Sequence, residues 1–165
     1  MHFASLASAA FAAALVLSLA QPAAAQGGPP PYGAPITFAQ AGKVMEGATA
    51  EAKKNNWNVV ITIVDSGGHM VMLHRLDNTQ LGSLEIATGK ATTALRLRRP
   101  TKAIQDVIAA GGVGLRFLTV PGVLAIDGGL PLLDGGKIVG AIGVSGVTAE
   151  QDAQIAKAGV DALGK

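Results

Sequence analysis

Apolar residues recur along this chain with two different periods, and the points where the period changes mark the elements. Ala41, Val44, Met45, Ala48 and Ala52 fall three or four positions apart, as one face of a helix requires. Thr37 followed by Gln40 makes a capping box, so the first helix is expected to start there and run to about Asn55. Residues 57–64 are dense in β-branched side chains, Asp65-Ser66-Gly67-Gly68 interrupts them, and residues 69–75 resume an apolar strand. Two strands joined by a Gly-Gly turn predict a hairpin.

The period returns to helical after Ser83, which is read as the cap of a second helix over residues 84–97, closed by Arg98-Arg99-Pro100. A shorter third helix is expected over residues 101–110, stopped by Gly111-Gly112. Half of the 22 glycines lie between Gly111 and Gly146, interleaved with apolar runs at residues 123–126, 130–133 and 138–144. That alternation predicts short strands and tight turns, with Asp134-Gly135-Gly136 as a second hairpin turn. Thr148 and Gln151 repeat the capping box and open a terminal helix. Hairpin-paired strands with helices at both ends and in the middle argue for an α+β fold, a central antiparallel sheet of about five strands covered by helices.

Charge adds organisation. No Lys, Arg, Asp or Glu precedes Lys43; residues 3–20 are an apolar run with serines, followed by Pro22 and Ala23-Ala24-Ala25. The pattern reads as a secretory signal over residues 1–25, cleaved after Ala25, which places the mature protein in the periplasm or outside the cell without stable membrane insertion. A retained anchor is the alternative, since the run is near the shortest that spans a bilayer. Residues 26–35, rich in Gly and Pro, read as a mobile leader, and the domain proper as residues 36–165.

Composition then narrows the chemistry. With 165 residues, 49% hydrophobic and 15% charged, the chain is too apolar for intrinsic disorder and too short for separate cofactor and substrate lobes. The absence of cysteine removes disulfides, thiolate metal sites and a cysteine nucleophile.

Asp65 and His69 flank the Gly67-Gly68 turn, which would bring a carboxylate near an imidazole. Such a pair sets a histidine tautomer for metal ligation or general-base work; a turn aspartate beside an exposed strand-end histidine is the bland alternative. His74 lies five positions further on, on the opposite strand face, so it is not expected to share a ligand with His69. His2 would leave with the signal, so a three-histidine zinc site within one subunit is excluded. Lys90, Arg96, Arg98, Arg99 and Lys102 fall in a segment without one acid: an anion site, or cations meeting a helix C-terminus. No aromatic residue interleaves them, so nucleic acid is not an expected partner. Gly140, Gly143 and Gly146 match neither a dinucleotide fingerprint nor a phosphate loop, and fit a strand packed tightly on its neighbours.

Several segments in order resemble the GlcG/HbpS family. They are Val64-Asp65-Ser66-Gly67-Gly68-His69, Leu81-Gly82-Ser83 with Ala87 and Lys90-Ala91, and Arg99-Pro100-Thr101. Gly111-Gly112, residues 118–122, Gly128-Gly129 with Pro131, and residues 140–146 complete the set. The resemblance implies an α+β fold, homo-oligomers, and haem binding or handling, with links to redox sensing outside the cell and to corrinoid-handling proteins. Residue by residue it implies His69 as iron ligand or acid–base group, and Lys90 and Arg99 as anion contacts. Three readings follow. One is an exported haem-binding protein with His69 on the metal; one is an enzyme on a small organic acid with His69 as base and Asp65 as its orienter; the third is an assembly module.

Overall fold

Both capping boxes form, and each opens a helix on the same side of a sheet. The computed structural model describes residues 28–164. The expected signal, with His2 and the cleavage point before Gln26, lies outside the described residues. In α1, Phe38–Lys54, the Thr37 hydroxyl accepts from the Gln40 amide at 3.2 Å, and the Gln40 side chain accepts from the Thr37 amide at 3.0 Å. In α4, Ala149–Leu163, Thr148 and Gln151 repeat the exchange.

Strands β1, Val60–Asp65, and β2, Met70–Arg75, form the first hairpin; β3, Gly129–Asp134, and β4, Lys137–Ser145, form the second. The sheet order is β2-β1-β4-β3, antiparallel throughout. Strand alternation sorts the core into two layers. Ile61, Ile63, Leu132, Ile142 and Val144 pack with Val44, Met45 and Ala48 of α1 and with Ile155 and Ala156 of α4. Val64 and Ala141 face the other way, against Ala91, Ala94 and Leu95 of α2, Ser83–Leu97. Each such Ile, Val or Leu contributes roughly 1.5–3 kcal/mol through removal from water. Gly143 sits under α2, where a Cβ would overlap the Ala87 carbonyl oxygen, so helix and strand backbones meet directly.

Three expectations are corrected. The described residues form four strands rather than five, because residues 123–126 stay in a loop: the Val123 amide is taken by the Val120 carbonyl at 3.3 Å and the Leu124 amide by Thr93 Oγ1 at 2.8 Å, and the next residue, Asp127, donates its amide to Gln105 Oε1 at 2.8 Å. After α3, Thr101–Ala109, the positive φ of Gly111 and Gly112 turns the chain into a 3₁₀ helix, Gly112–Thr119. Ser83 does not cap α2. Gly82 holds the cap position, while the buried Ser83 hydroxyl accepts from Gln80 Nε2 and meets Ser145 Oγ, both at 3.1 Å.

The leader is also held in its second half. Ile138 donates to the Pro31 carbonyl, Gly33 to the Ile138 carbonyl and Ile36 to the Val139 carbonyl, each at 2.8 Å, so residues 31–36 run beside β4 beyond the end of β1. Among the described residues no helix is long and apolar enough to cross a membrane.

Candidate functional site

The β1–β2 turn is built by Asp65. Its Oδ1 accepts from the amides of Gly67 and His69, both at 2.9 Å, and the Gly68 amide closes on the Asp65 carbonyl at 3.0 Å. Gly68 takes φ +86°, a conformation that glycine adopts without the clash a Cβ would bring. His69 Nδ1 stands 3.4 Å from the same Oδ1, with 84% of the His69 side chain exposed. Asp65 thus orients the backbone first and the ring second, and Nε2 is left to solvent.

Beside this turn lies an open groove of about 470 Å³ between the turn, α2 and the incoming N-terminal segment. Ser66, Gly67 and Gly68 form one wall, Thr92, Leu95 and Arg96 the other, and Tyr32 the end. Tyr32 is fixed by its hydroxyl, which donates to the Leu95 carbonyl at 2.9 Å and lies 3.3 Å from that of Arg96. These are last-turn carbonyls of α2, and that of Leu95 also accepts the Arg98 amide at 3.2 Å. The Arg98 guanidinium lies 5.7 Å from the Tyr32 ring centroid, within cation–π range. Arg96 reaches the Pro121 carbonyl at 3.3 Å and remains exposed.

The basic segment is dispersed by the fold. Arg96 and Arg98 flank the groove, Arg99 is exposed with Nε on the Leu97 carbonyl at 3.1 Å, and Lys102 pairs with Asp106, whose hydrogen bond raises the Lys102 pKa. Lys90 faces inward. Its side chain is 1% exposed and its Nζ lies 2.7 Å from Asp152 Oδ2, so the anion contact expected of it has no access to the groove; Arg96 holds that place. Arg96 belongs to the basic segment read as an anion site, whereas Tyr32, Ser66 and Thr92 are groove residues that sequence reasoning missed. Thr92 and Arg96, one helical turn apart, carry a readable spacing; Tyr32, the chain's only tyrosine, sits in a segment that looked unstructured. His74 points to the opposite side of the sheet, into a cleft against α1, so the two histidines are apart as expected. Among the described residues no cluster of three metal-ligating side chains occurs.

Residues 36–161 match the HbpS-like family, described as haem degrading protein HbpS-like. The chain belongs to this family. It is 38% identical over 130 residues to an uncharacterised 15.0 kDa protein of the dhaT-dhaS intergenic region of Citrobacter freundii, covering 78% of this chain and 92% of that one. It is 40% identical over 105 residues to protein GlcG of Escherichia coli K12, covering 64% and 77%. The corrinoid adenosyltransferase PduO of Salmonella typhimurium matches at 30% over 78% of this chain, which spans only 39% of that longer protein. Among solved structures, HbpS superposes with a TM-score of 0.74 at 31% identity, covering 87% of this chain and all of that one. A haem complex of PduOC superposes at 0.71 and 30%, covering 78% and 94%.

Proposed function

We propose that this protein binds haem at the β1–β2 turn, with His69 Nε2 as an iron ligand. The observation that carries the reading is an exposed imidazole held by a rigid turn, with its other nitrogen beside a carboxylate. A carboxylate there favours the tautomer that ligates through Nε2 and strengthens its donation. The residues present fit the group: one imidazole for the metal, a groove with hydroxyls at Ser66 and Thr92, and the Arg96 fork for a propionate. Arg99 lies further out and would meet only an extended propionate. The haem complex of a relative supports the reading. Because the groove is open, a second subunit covering it would complete the site, and we propose a homo-oligomer exported to the periplasm or medium.

Haemin titration followed by absorbance tests the reading. Wild type should develop a Soret band that His69→Ala shifts or abolishes while the circular dichroism spectrum is kept. Equal spectra and affinity for the two proteins would eliminate His69 as ligand. A wild type that does not respond to haemin would sink haem binding and leave the acid–base reading of His69 and Asp65.

A further inference from the structure

Tyr32 is 48% exposed and yet fixed from several directions. Its backbone is pinned on both sides, since the Pro31 carbonyl accepts from the Ile138 amide and the Gly33 amide donates to the Ile138 carbonyl, both at 2.8 Å. Its hydroxyl is tied to the end of α2 at 2.9 Å, and its ring stands in the groove wall. Among the described residues Phe38, Trp57 and Phe117 do not belong to that wall, so Tyr32 supplies the aromatic surface that a groove ligand meets.

A second observation concerns what backs the ring. Arg98 is the C-cap of α2 and takes φ 52°, ψ 41°, the left-handed conformation that helix ends most often give to glycine. An arginine is strained there, and such strain is characteristic of positions where a side chain is needed. What glycine would lack is the guanidinium, which lies 5.7 Å from the Tyr32 ring centroid and reaches the Pro29 carbonyl at 3.5 Å. No carboxylate pairs with Arg98 among the described residues. The cation is drawn to one face of the ring and holds it, which leaves the other face for the groove. A ring ordered before binding has little side-chain entropy left to lose when a ligand stacks on it.

We infer that Tyr32, backed by Arg98, is a stacking platform that selects flat aromatic macrocycles for the groove. The inference rests on the haem reading of that groove and adds to it the residue that senses the plane of the ligand: His69 meets the metal, Arg96 a carboxylate, and Tyr32 the ring. Stacking requires no iron, so the platform holds a metal-free porphyrin as well. A corrin is puckered and carries axial groups on both faces of its cobalt, so it does not lie against the phenol ring, and the groove rejects it by shape.

Protoporphyrin IX, which has no iron, is the test ligand, titrated beside haemin and dicyanocobinamide and followed by absorbance and calorimetry. Wild type should bind protoporphyrin IX, and should bind dicyanocobinamide roughly tenfold or more weakly than that. His69→Ala should leave protoporphyrin IX affinity unchanged. Tyr32→Phe and Tyr32→Leu both lose the hydroxyl tether, so amide exchange over residues 31–36 should rise equally in the two and the difference between them isolates the ring. Tyr32→Leu should bind protoporphyrin IX roughly threefold or more weakly than Tyr32→Phe, with a narrower gap to dicyanocobinamide. Arg98→Gly relaxes the helix end and should stay folded, yet should weaken protoporphyrin IX about twofold. Equal affinity of Tyr32→Phe and Tyr32→Leu, or a wild type that takes haemin but not protoporphyrin IX, would overturn the platform and leave the iron ligand standing. A loss in Tyr32→Leu matched by faster exchange than in Tyr32→Phe would make the role structural and overturn it too. A wild type that binds neither porphyrin would remove the haem reading and the platform together.

Discussion

Lys90 Nζ meets Asp152 Oδ2 at 2.7 Å with both side chains almost wholly out of water, joining the middle of α2 to the first turn of α4. Burial raises the Asp152 pKa, while the Lys90 hydrogen bond and charge and the backbone amides of Val147 and Gly146 pull it down. Gly128, at φ +114°, leaves the space the pair occupies: a Cβ there would come within 2.9 Å of Lys90 Nζ.

Removing one partner leaves the other charge buried alone, so Lys90→Met should cost about 3–5 kcal/mol near neutral pH in urea unfolding. The sign with pH follows from the remaining carboxyl. Without Lys90 the folded-state pKa of Asp152 rises further above its unfolded value. A raised carboxyl pKa means the penalty is absent below the unfolded value and grows as pH rises through the folded value. The Lys90→Met deficit should therefore shrink as pH falls toward 4, and adding Asp152→Asn should recover part of it at pH 7. A deficit independent of pH would show that lost packing, not the carboxylate, dominates.

Gly143→Ala should separate α2 from the sheet. The added Cβ would overlap the Ala87 carbonyl and crowd the Ala91 amide, neither of which moves without shifting the helix. Overpacking of this kind costs roughly 1–3 kcal/mol, whereas Gly82→Ala, at a position with open space and ordinary φ, should stay within about 0.5 kcal/mol. Thermal unfolding of the two variants side by side checks the contrast.

These two sites show which features can be read from the chain alone. Local chemistry was legible: Thr37 and Gln40, Thr148 and Gln151, and the Asp65 and Asp134 turns each contain their own partners within a few residues. What was not legible depends on distant partners. Lys90 looks like a surface cation until Asp152, 62 positions later, is brought beside it. Tyr32 looks like part of a leader until the end of α2, 63 positions later, accepts its hydroxyl. Residues 123–126 have strand composition, but the Leu124 amide goes to Thr93 and that of the adjoining Asp127 to Gln105, both on helices.

Arg96 is expected to act on haem affinity rather than on the metal. It lines the groove, of which His69 is not a lining residue, and its guanidinium donates to the Pro121 carbonyl at 3.3 Å. Arg96→Ala should weaken haemin binding severalfold and leave the Soret maximum in place; Lys90 variants that stay folded should not alter affinity, because Lys90 does not reach the groove. Tyr32→Phe removes the hydroxyl from the Leu95 carbonyl and should loosen the groove end, read as faster amide exchange over residues 31–36. A Soret shift in Arg96→Ala would move this residue from the propionates to the iron.

Export should be visible in the mass of the recovered protein. The uncharged apolar run over residues 3–20 and the Ala23-Ala24-Ala25 series predict that the extracytoplasmic form begins at Gln26. A membrane-bound product that still carries residues 1–25 would overturn the export proposal.

Self-association is expected from surface that the single subunit leaves uncovered. The 3₁₀ segment presents Val113, Leu115 and Leu118 at 83, 48 and 68% exposure, and Val107 on the adjoining α3 is 39% exposed. Exposed apolar side chains on adjoining elements are costly to leave in water, and symmetric pairing is the commonest way to cover them. The patch lies on the 3₁₀ helix and α3 rather than on a strand, so pairing there would proceed through side chains. Light scattering of the protein beginning at Gln26 should give more than one subunit mass at micromolar concentration. Leu118→Glu places a charge in the patch and should lower that mass while leaving the circular dichroism spectrum unchanged. A wild-type monomer would remove the homo-oligomer, and an assembly untouched by Leu118→Glu would put the contact on another face.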